Sequence, residues 1–290
     1  MWVVLSLFFA LWSSIYYSIL KKISSGLHPA VVLFSANLFA LPFMIGLIFL
    51  LNGFPHVTFS FFLFMVASSI LDLFAFLLSI WALKKSPLSL LSPIASFSPV
   101  FTALIASSTL HEIPTLFKFL GILIVVIGAY LLNISNLKEG LFAPIKKLFL
   151  NRGVQLFFVA NFLWAITPIF QKQAIFQTIP SMPLTASFAG FSLVTIYLIP
   201  FIIFKKKRST IKIIKKHVGL LIFMGIFTAL SQLAAYTAFS LANVGYVTAI
   251  FKLSSLMGIV WGALFFRETR IKEKFIGGTI MLLGAILLAI

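Results

Sequence analysis

Two ionisable residues interrupt otherwise apolar runs. Asp72 stands near the middle of 58–82, and Lys252 stands inside 245–266. A charge in the hydrocarbon core costs a few kcal/mol or more and persists where function uses it. An acid and a base at this depth can hold the two ends of a zwitterion. They can also pair with each other until a solute or a proton competes. Counted inward from the span ends poor in basic residues, the two differ in depth by roughly 8 Å at ~1.5 Å per residue. A lysine side chain covers most of that gap. The structural alternative is a static ion pair that holds the two segments in register.

Polar residues recur around these charges at helical spacing, where i, i+3 and i+4 share a face. Ser68, Asp72 and Ser79 form one stripe, and Thr228, Gln232 and Tyr236 form its counterpart. Ser92, Ser96 and Pro99 occupy one face; Thr248, Lys252 and Ser255 occupy the same three places 156 positions later. Asn161, Trp164, Pro168 and Gln171 share a face, as do Trp12 and Tyr16. The expected substrate-binding set is Asp72, Lys252, Trp12, Tyr16, Ser96, Asn161, Trp164, Gln232, Tyr236 and Ser255. For any one serine or threonine, the competing explanation is a bond back to its own helix or packing between helices. For the tryptophans it is anchoring at the membrane interface. Pro93, Pro99 and Pro168 remove backbone hydrogen bonds and are the expected gating positions, with fixed kinks as the alternative. There is no cysteine, and the histidines at 28, 56, 111 and 217 form no cluster. Neither a metal site nor a cofactor is expected.

The elements that position these residues follow from composition. Hydrophobic residues make up 61% of the chain and charged residues 9%, whereas a soluble domain is about half apolar and a quarter charged. The apolar stretches are about 20 residues long, the length that crosses a bilayer as a helix. Ten spans are expected, at 2–20, 30–51, 58–82, 87–110, 116–134, 154–174, 184–204, 218–240, 245–266 and 274–290. Continuous apolar runs disfavour a transmembrane barrel, whose strands alternate. Residues 2–20 lack a basic leader and a small-residue cleavage site, so they read as a retained span. A short interfacial helix is expected around 141–150.

The chain repeats itself. Residues 82–132 align on 238–288 without a gap, and 112–132 holds 9 identities with 268–288, including Glu112 with Glu268 and Lys118 with Lys274. That similarity marks a duplication. The expected organisation is a first five-helix repeat at 1–134, a connecting loop at 135–153 and a second repeat at 154–290. Five spans per repeat is an odd number, which turns the copies upside down relative to each other, as in many transporters. Gly121, Gly128 and Ala129, with Gly277, Gly278, Gly284 and Ala285, give spans 5 and 10 a small-residue face for close contact. Glu112 and Glu268 precede those spans; capping of the positive helix end is one expectation, and a gating contact is the other.

The net charge is +17. Its distribution explains it better than nucleic-acid binding does, because 19 of the lysines and arginines fall in loops after odd-numbered spans and such loops stay cytoplasmic. Both chain ends then face away from the cytoplasm. The expected location is a bacterial inner membrane, with no nucleic-acid partner. A monomer is expected, a dimer being the alternative.

Several features together resemble the EamA-type branch of the drug/metabolite transporter superfamily. They are Leu11-Trp12 and Leu163-Trp164, the Pro- and Ser-rich span SPLSLLSPIASFSPVFTAL, Glu112 and Glu268, and the endings GILIVVIGAYLL and GGTIMLLGAILL. The resemblance implies a ten-helix basket around a central cavity lined by spans 1, 3, 4, 6, 8 and 9. It also implies movement of small metabolites, amino acids among them. The chain departs from its own repeat at Asn243 and Ser255, where the first copy has Pro87 and Pro99. The functional expectation is a secondary transporter of an amino acid or similar zwitterionic or amphipathic solute. A nucleotide-type metabolite exchanger and a lipid-linked sugar flippase are the alternatives within transport. A membrane enzyme would need clustered acids, histidines or a metal, and the five acids are scattered.

Overall fold

A computed structural model describes the backbone of residues 1–23, 29–51, 53–86, 88–134, 142, 145, 146, 150–205, 217–266 and 271–290. Among the described residues the regular structure is helical apart from two dipeptide strands. In chain order the first half holds α1 (Trp2–Ile23), α2 (Pro29–Leu50), β1 (His56–Val57), α3 (Phe59–Lys85), α4 (Leu88–Ala95), α5 (Ser98–Thr109) and α6 (Leu116–Ile134). The second half holds α7 (Arg152–Phe176), β2 (Thr178–Ile179), α8 (Pro183–Lys205), α9 (Val218–Leu241), α10 (Val244–Phe251), α11 (Leu253–Phe266) and α12 (Ile271–Ala289). The interfacial helix expected around 141–150 and Glu268 lie largely or wholly outside the described residues.

Helix is what an apolar chain adopts where no water can satisfy its backbone. Among the described residues five helices, α2, α3, α7, α8 and α9, are each long and apolar enough to cross a membrane. Shorter apolar helical stretches among the described residues run over 2–16, 116–132, 244–258 and 276–289. Large apolar side chains point outward along these helices, Phe49, Phe62, Phe74 and Ile203 among them. Buried hydroxyls mostly turn back on their own helix: Ser6 to the Trp2 carbonyl at 2.8 Å, Ser35 to Val31 at 2.8 Å and Ser79 to Phe76 at 2.7 Å. Ser79 therefore follows the helix-bonding alternative and not the cavity stripe. The protein is an integral membrane protein by this composition and geometry.

The expected spans at 87–110 and 245–266 are each split. The first becomes α4 and α5 about a turn at Ser96–Phe97; the second becomes α10 and α11 about Lys252. Elsewhere helix ends are fixed locally. Asn151 caps α7, its Oδ1 accepting from the backbone of Gly153 at 2.8 Å and Val154 at 3.2 Å, while Ser86 Oγ donates to the same oxygen at 2.6 Å. This joins the end of α3 to the start of α7.

Contacts between the halves are reciprocal. α3 lies along α7 as α1 lies along α9, and α2 packs on α9 as α8 packs on α3. The interface of α6 with α12 shows the same exchange at residue level. A Cβ on Gly128 would stand 2.5 Å from Met281 N, and one on Gly284 would stand 2.6 Å from Val125 N. The sequence repeat pairs Gly128 with Gly284 and Val125 with Met281, so each contact is the other with its partners swapped. Gly121 against Leu288 and Gly277 against Leu132 repeat the exchange. Partner numbers fall along α12 as they rise along α6, so the two helices run antiparallel. Glycine is needed here because the backbones approach too closely for any side chain.

Candidate functional site

Both helix breaks face the same interior. Around each, the backbone tightens to bonds three residues back. Ser96 N reaches Pro93 O at 3.2 Å and Phe97 N reaches Ile94 O at 3.3 Å. Lys252 N reaches Ala249 O at 3.1 Å, and Ser255 N reaches Lys252 O at 3.0 Å. Such tightened turns interrupt the helical ladder. Pro93 lies inside α4 and Pro99 starts α5, both buried. Pro93 and Pro99 are therefore beside a break, but span 9 breaks at the equivalent position with no proline. Pro168 lies inside α7, which stays continuous.

Between the halves lies a cavity of about 500 Å³, within the roughly 300–1,000 Å³ of small-molecule sites. Of the residues singled out in the sequence, Asp72, Lys252, Tyr16, Asn161, Trp164, Gln232, Tyr236 and Pro168 line it. Gln171, Asn37, Ser98 and Thr248 add polar lining. The walls also come from α2 and α8, through Leu33, Gly190 and Phe191, which lie outside the expected lining by spans 1, 3, 4, 6, 8 and 9. Asn37, the one amide in a span whose only other polar side chain is Ser35, was the signal available for α2. Gly190 gives room: a Cβ there would stand 2.9 Å from Met65 Cε and 3.5 Å from the Tyr236 hydroxyl.

Asp72 and Lys252 face this one space without pairing. Among the described residues no ion pair joins them, so the expected Asp72–Lys252 pair is not formed in this conformation. Gln171 Nε2 instead donates to Asp72 Oδ2 at 3.4 Å, while the Thr167 hydroxyl turns back to the Trp164 carbonyl at 3.3 Å. Gln171 sits one turn past Pro168 on α7, so α7 itself orients the acid. The Lys252 ammonium has no hydrogen-bond or salt-bridge partner among the described residues. Lys252 is half-buried at the break, where Phe9 and Phe251 also line the cavity. The rings of Phe9 and Phe251 are 4.1 Å apart, Phe251 and Phe239 5.7 Å, and Phe239 and Tyr236 6.0 Å. These four rings form a continuous aromatic wall from Lys252 toward Tyr236.

Three expected ligand positions stand elsewhere. Trp12 is 5% exposed, stacked on Phe227 at 4.8 Å, and its Nε1 donates to Thr228 Oγ1 at 3.4 Å. Thr228 is the repeat equivalent of Asp72, and Trp164 is that of Trp12. The same pair of positions is thus packed shut in one copy and opens on the cavity in the other. Ser96 is buried at its break, and Ser255 lies one turn beyond Lys252; neither lines the cavity.

One end of the interior is sealed. β1 pairs antiparallel with β2, His56 opposite Ile179, and Thr58 Oγ1 donates to Gln177 Oε1 at 2.7 Å. Beneath them one apolar cluster joins both halves through Phe61, Met65, Ile169, Tyr236, Phe239 and Val247. Toward the other end the apolar packing divides. Leu91, Ile94 and Phe157 form one cluster, and Trp12, Leu221 and Met224 form another.

Comparison with known proteins agrees with this architecture. A solved crystal structure covers 100% of this chain and 98% of its own at TM-score 0.76 with 11% identity, a likeness of fold. A protein of Methanocaldococcus jannaschii described as uncharacterized is 35% identical over 71 residues, 24% of this chain. The chain spans about half the length, 52%, of that curated relative. The model of the EamA-like transporter family matches residues 1–134 and 151–290. With a match over nearly its whole length, the chain belongs to the EamA-like transporter family.

Proposed function

We propose that the protein is a secondary transporter of a small zwitterionic or amphipathic metabolite, an amino acid or a similar solute. The single observation that carries this reading is an acid and a base, Asp72 and Lys252, facing one cavity without satisfying each other. A zwitterion supplies both missing charges, its ammonium toward Asp72 and its carboxylate toward Lys252. Desolvated opposite charges at short range are worth far more than in water. Gln171, Gln232 and Asn161 add amide donors and acceptors, and the aromatic wall accepts an apolar side chain.

Alternating access is the mechanism that the symmetry favours. An antiparallel α6–α12 seam with reciprocal contacts is what two copies related by an axis in the membrane plane would make. The two copies then exchange conformations: the Trp12–Thr228 side opens as the Trp164–Asp72 side packs. The sealed end of the cavity is the one that carries β1, β2 and the 110–115 loop. By the distribution of basic residues, that end faces away from the cytoplasm. Twin breaks in α4–α5 and α10–α11 support this reading, since interrupted helices are tolerated where the backbone is buried in protein or borders a cavity.

A nucleotide exchanger would hold several phosphate oxygens, which favours clustered or bidentate cations. Lys252 is the one basic residue among the described cavity-lining side chains. The test is a thermal-shift screen of purified protein against the free amino acids, nucleotides and sugar phosphates. A ligand of the native state raises the melting temperature. The reading predicts a zwitterion among the hits, lost in Asp72→Ala and in Lys252→Ala. A phosphorylated hit that survives Asp72→Ala would replace the reading with the exchanger.

A further inference from the structure

A second charged constellation stands at the sealed end, outside the cavity. Glu112 accepts a hydrogen bond from the backbone N–H of Val244 at 2.8 Å, and Lys172 forms a salt bridge with the same carboxylate. Lys172 Nζ also donates to the Ala242 carbonyl at 2.7 Å and lies 5.8 Å from the centre of the Phe176 ring. The Lys172 and Glu112 side chains are 8% and 11% exposed, so water contributes little. Glu112 thus caps α10, 132 positions away. The helix it was expected to cap, α6, begins only at Leu116. The turn that aims it is strained. His111 holds φ at 56°, a left-handed conformation that non-glycine residues adopt at a cost. The Glu112 N–H folds back to Ala106 O at 3.3 Å.

The geography of this cluster gives it a task. Glu112 belongs to the first half of the chain; Lys172, Ala242 and Val244 belong to the second and come from α7 and the α9–α10 junction. A buried ion pair contributes little net stability, because desolvation offsets its attraction. Its attested use is to select one arrangement over another. An acid on a helix N-terminus, paired with a base that also satisfies a loop carbonyl, exists only while the three segments touch.

We propose that Glu112, Lys172 and the first turn of α10 form a latch between the halves, and that its release opens the cavity toward this end. The inference rests on the alternating-access reading and adds the element that decides which state is populated. Loss of either side chain leaves the other buried without its countercharge, which disfavours the sealed state alone. In the opened state both groups reach water.

The test exploits a chain with no native cysteine. Thr248 lines the cavity four residues into α10, so Thr248→Cys reports access to it. Labelling by a membrane-impermeant maleimide is measured in right-side-out and inside-out vesicles, in the parent and in added Glu112→Gln, Glu112→Ala and Lys172→Met. Normal elution and yield establish folding for each. The latch predicts faster labelling from the sealed end by roughly tenfold or more, the factor that corresponds to about 1.4 kcal/mol. Glutamine should fall between the parent and alanine, since it still accepts from Val244. Lys172→Met supplies an independent arm should a Glu112 variant fail to fold. Labelling of the parent from both faces, with rates unchanged in the variants, overturns the latch and leaves alternating access standing. Labelling from one face alone in every variant overturns both.

Discussion

Lys252 and Ser96 stand 156 residues apart and occupy one place in the fold twice: each sits at the break of a two-piece helix. One copy breaks beside two prolines and the other has none. A break at this place therefore does not require proline, and the packing common to the two halves is the feature both copies share. What differs is the side chain at the break, a hidden serine in one copy and a cavity-facing ammonium in the other. Duplication supplied the geometry, and divergence placed the charge.

If packing makes the break, the prolines of α4 and α5 are dispensable for it. Pro93→Ala with Pro99→Ala is expected to fold and to retain the ligand-induced thermal shift of the parent. A well-folded double variant that binds nothing would return the break to the prolines.

The α6–α12 seam admits no side chain at Gly128, where a Cβ would meet Met281 N at 2.5 Å. Gly128→Leu must force the helices apart, and overpacking of this kind costs about 1–3 kcal/mol. The expected readout is a lower melting temperature in detergent with little change in ligand selectivity. Gly46, where an added Cβ would meet nothing within 4 Å, is the control: Gly46→Ala should leave the melting temperature unaltered or slightly raised. Equal effects at both positions would remove the close-contact account.

Much of this was legible because the sequence writes each signal twice. The apolar runs gave the helices, and Asp72 and Lys252 stood out as charges within them. Repeat equivalence, however, hides state. Trp12 and Trp164 match in sequence, yet one is packed on Phe227 and the other lines the cavity, because two copies in a single conformation cannot both be open. Equivalence likewise drew Ser96 and Ser255 into the expected site. The partner of Glu112 was beyond local reading: α6 begins four residues on, whereas Val244 is brought close only by the fold.

The two tryptophans should separate by readout. Trp12→Ala removes a buried ring and its bond to Thr228, and losses of this kind are about 3–5 kcal/mol in packed cores. It is expected to lower the melting temperature. Trp164→Ala removes cavity wall, and is expected to weaken ligand binding with a smaller loss of stability. The reverse pattern would exchange the roles assigned to the two sides.

Orientation is tested by single cysteines in exposed positions at the two ends. Lys85, at the basic end of α3, and Ile113, in the 110–115 segment, are both exposed. In intact cells an impermeant maleimide should label Ile113→Cys and spare Lys85→Cys, as basic loops remain cytoplasmic. The opposite labelling would invert the assignment of the sealed end without altering the cavity.

The central claim is that Asp72 and Lys252 hold opposite charges of one solute, and the most direct measurement is a cross-comparison of blocked ligands. The amino acid giving the largest thermal shift is titrated as the free zwitterion, the N-acetyl derivative and the methyl ester, against parent, Asp72→Asn and Lys252→Met. The account predicts that acetylation weakens binding to the parent but no further to Asp72→Asn, and that esterification does the same with Lys252→Met. Undiminished binding of the zwitterion to both variants would contradict it.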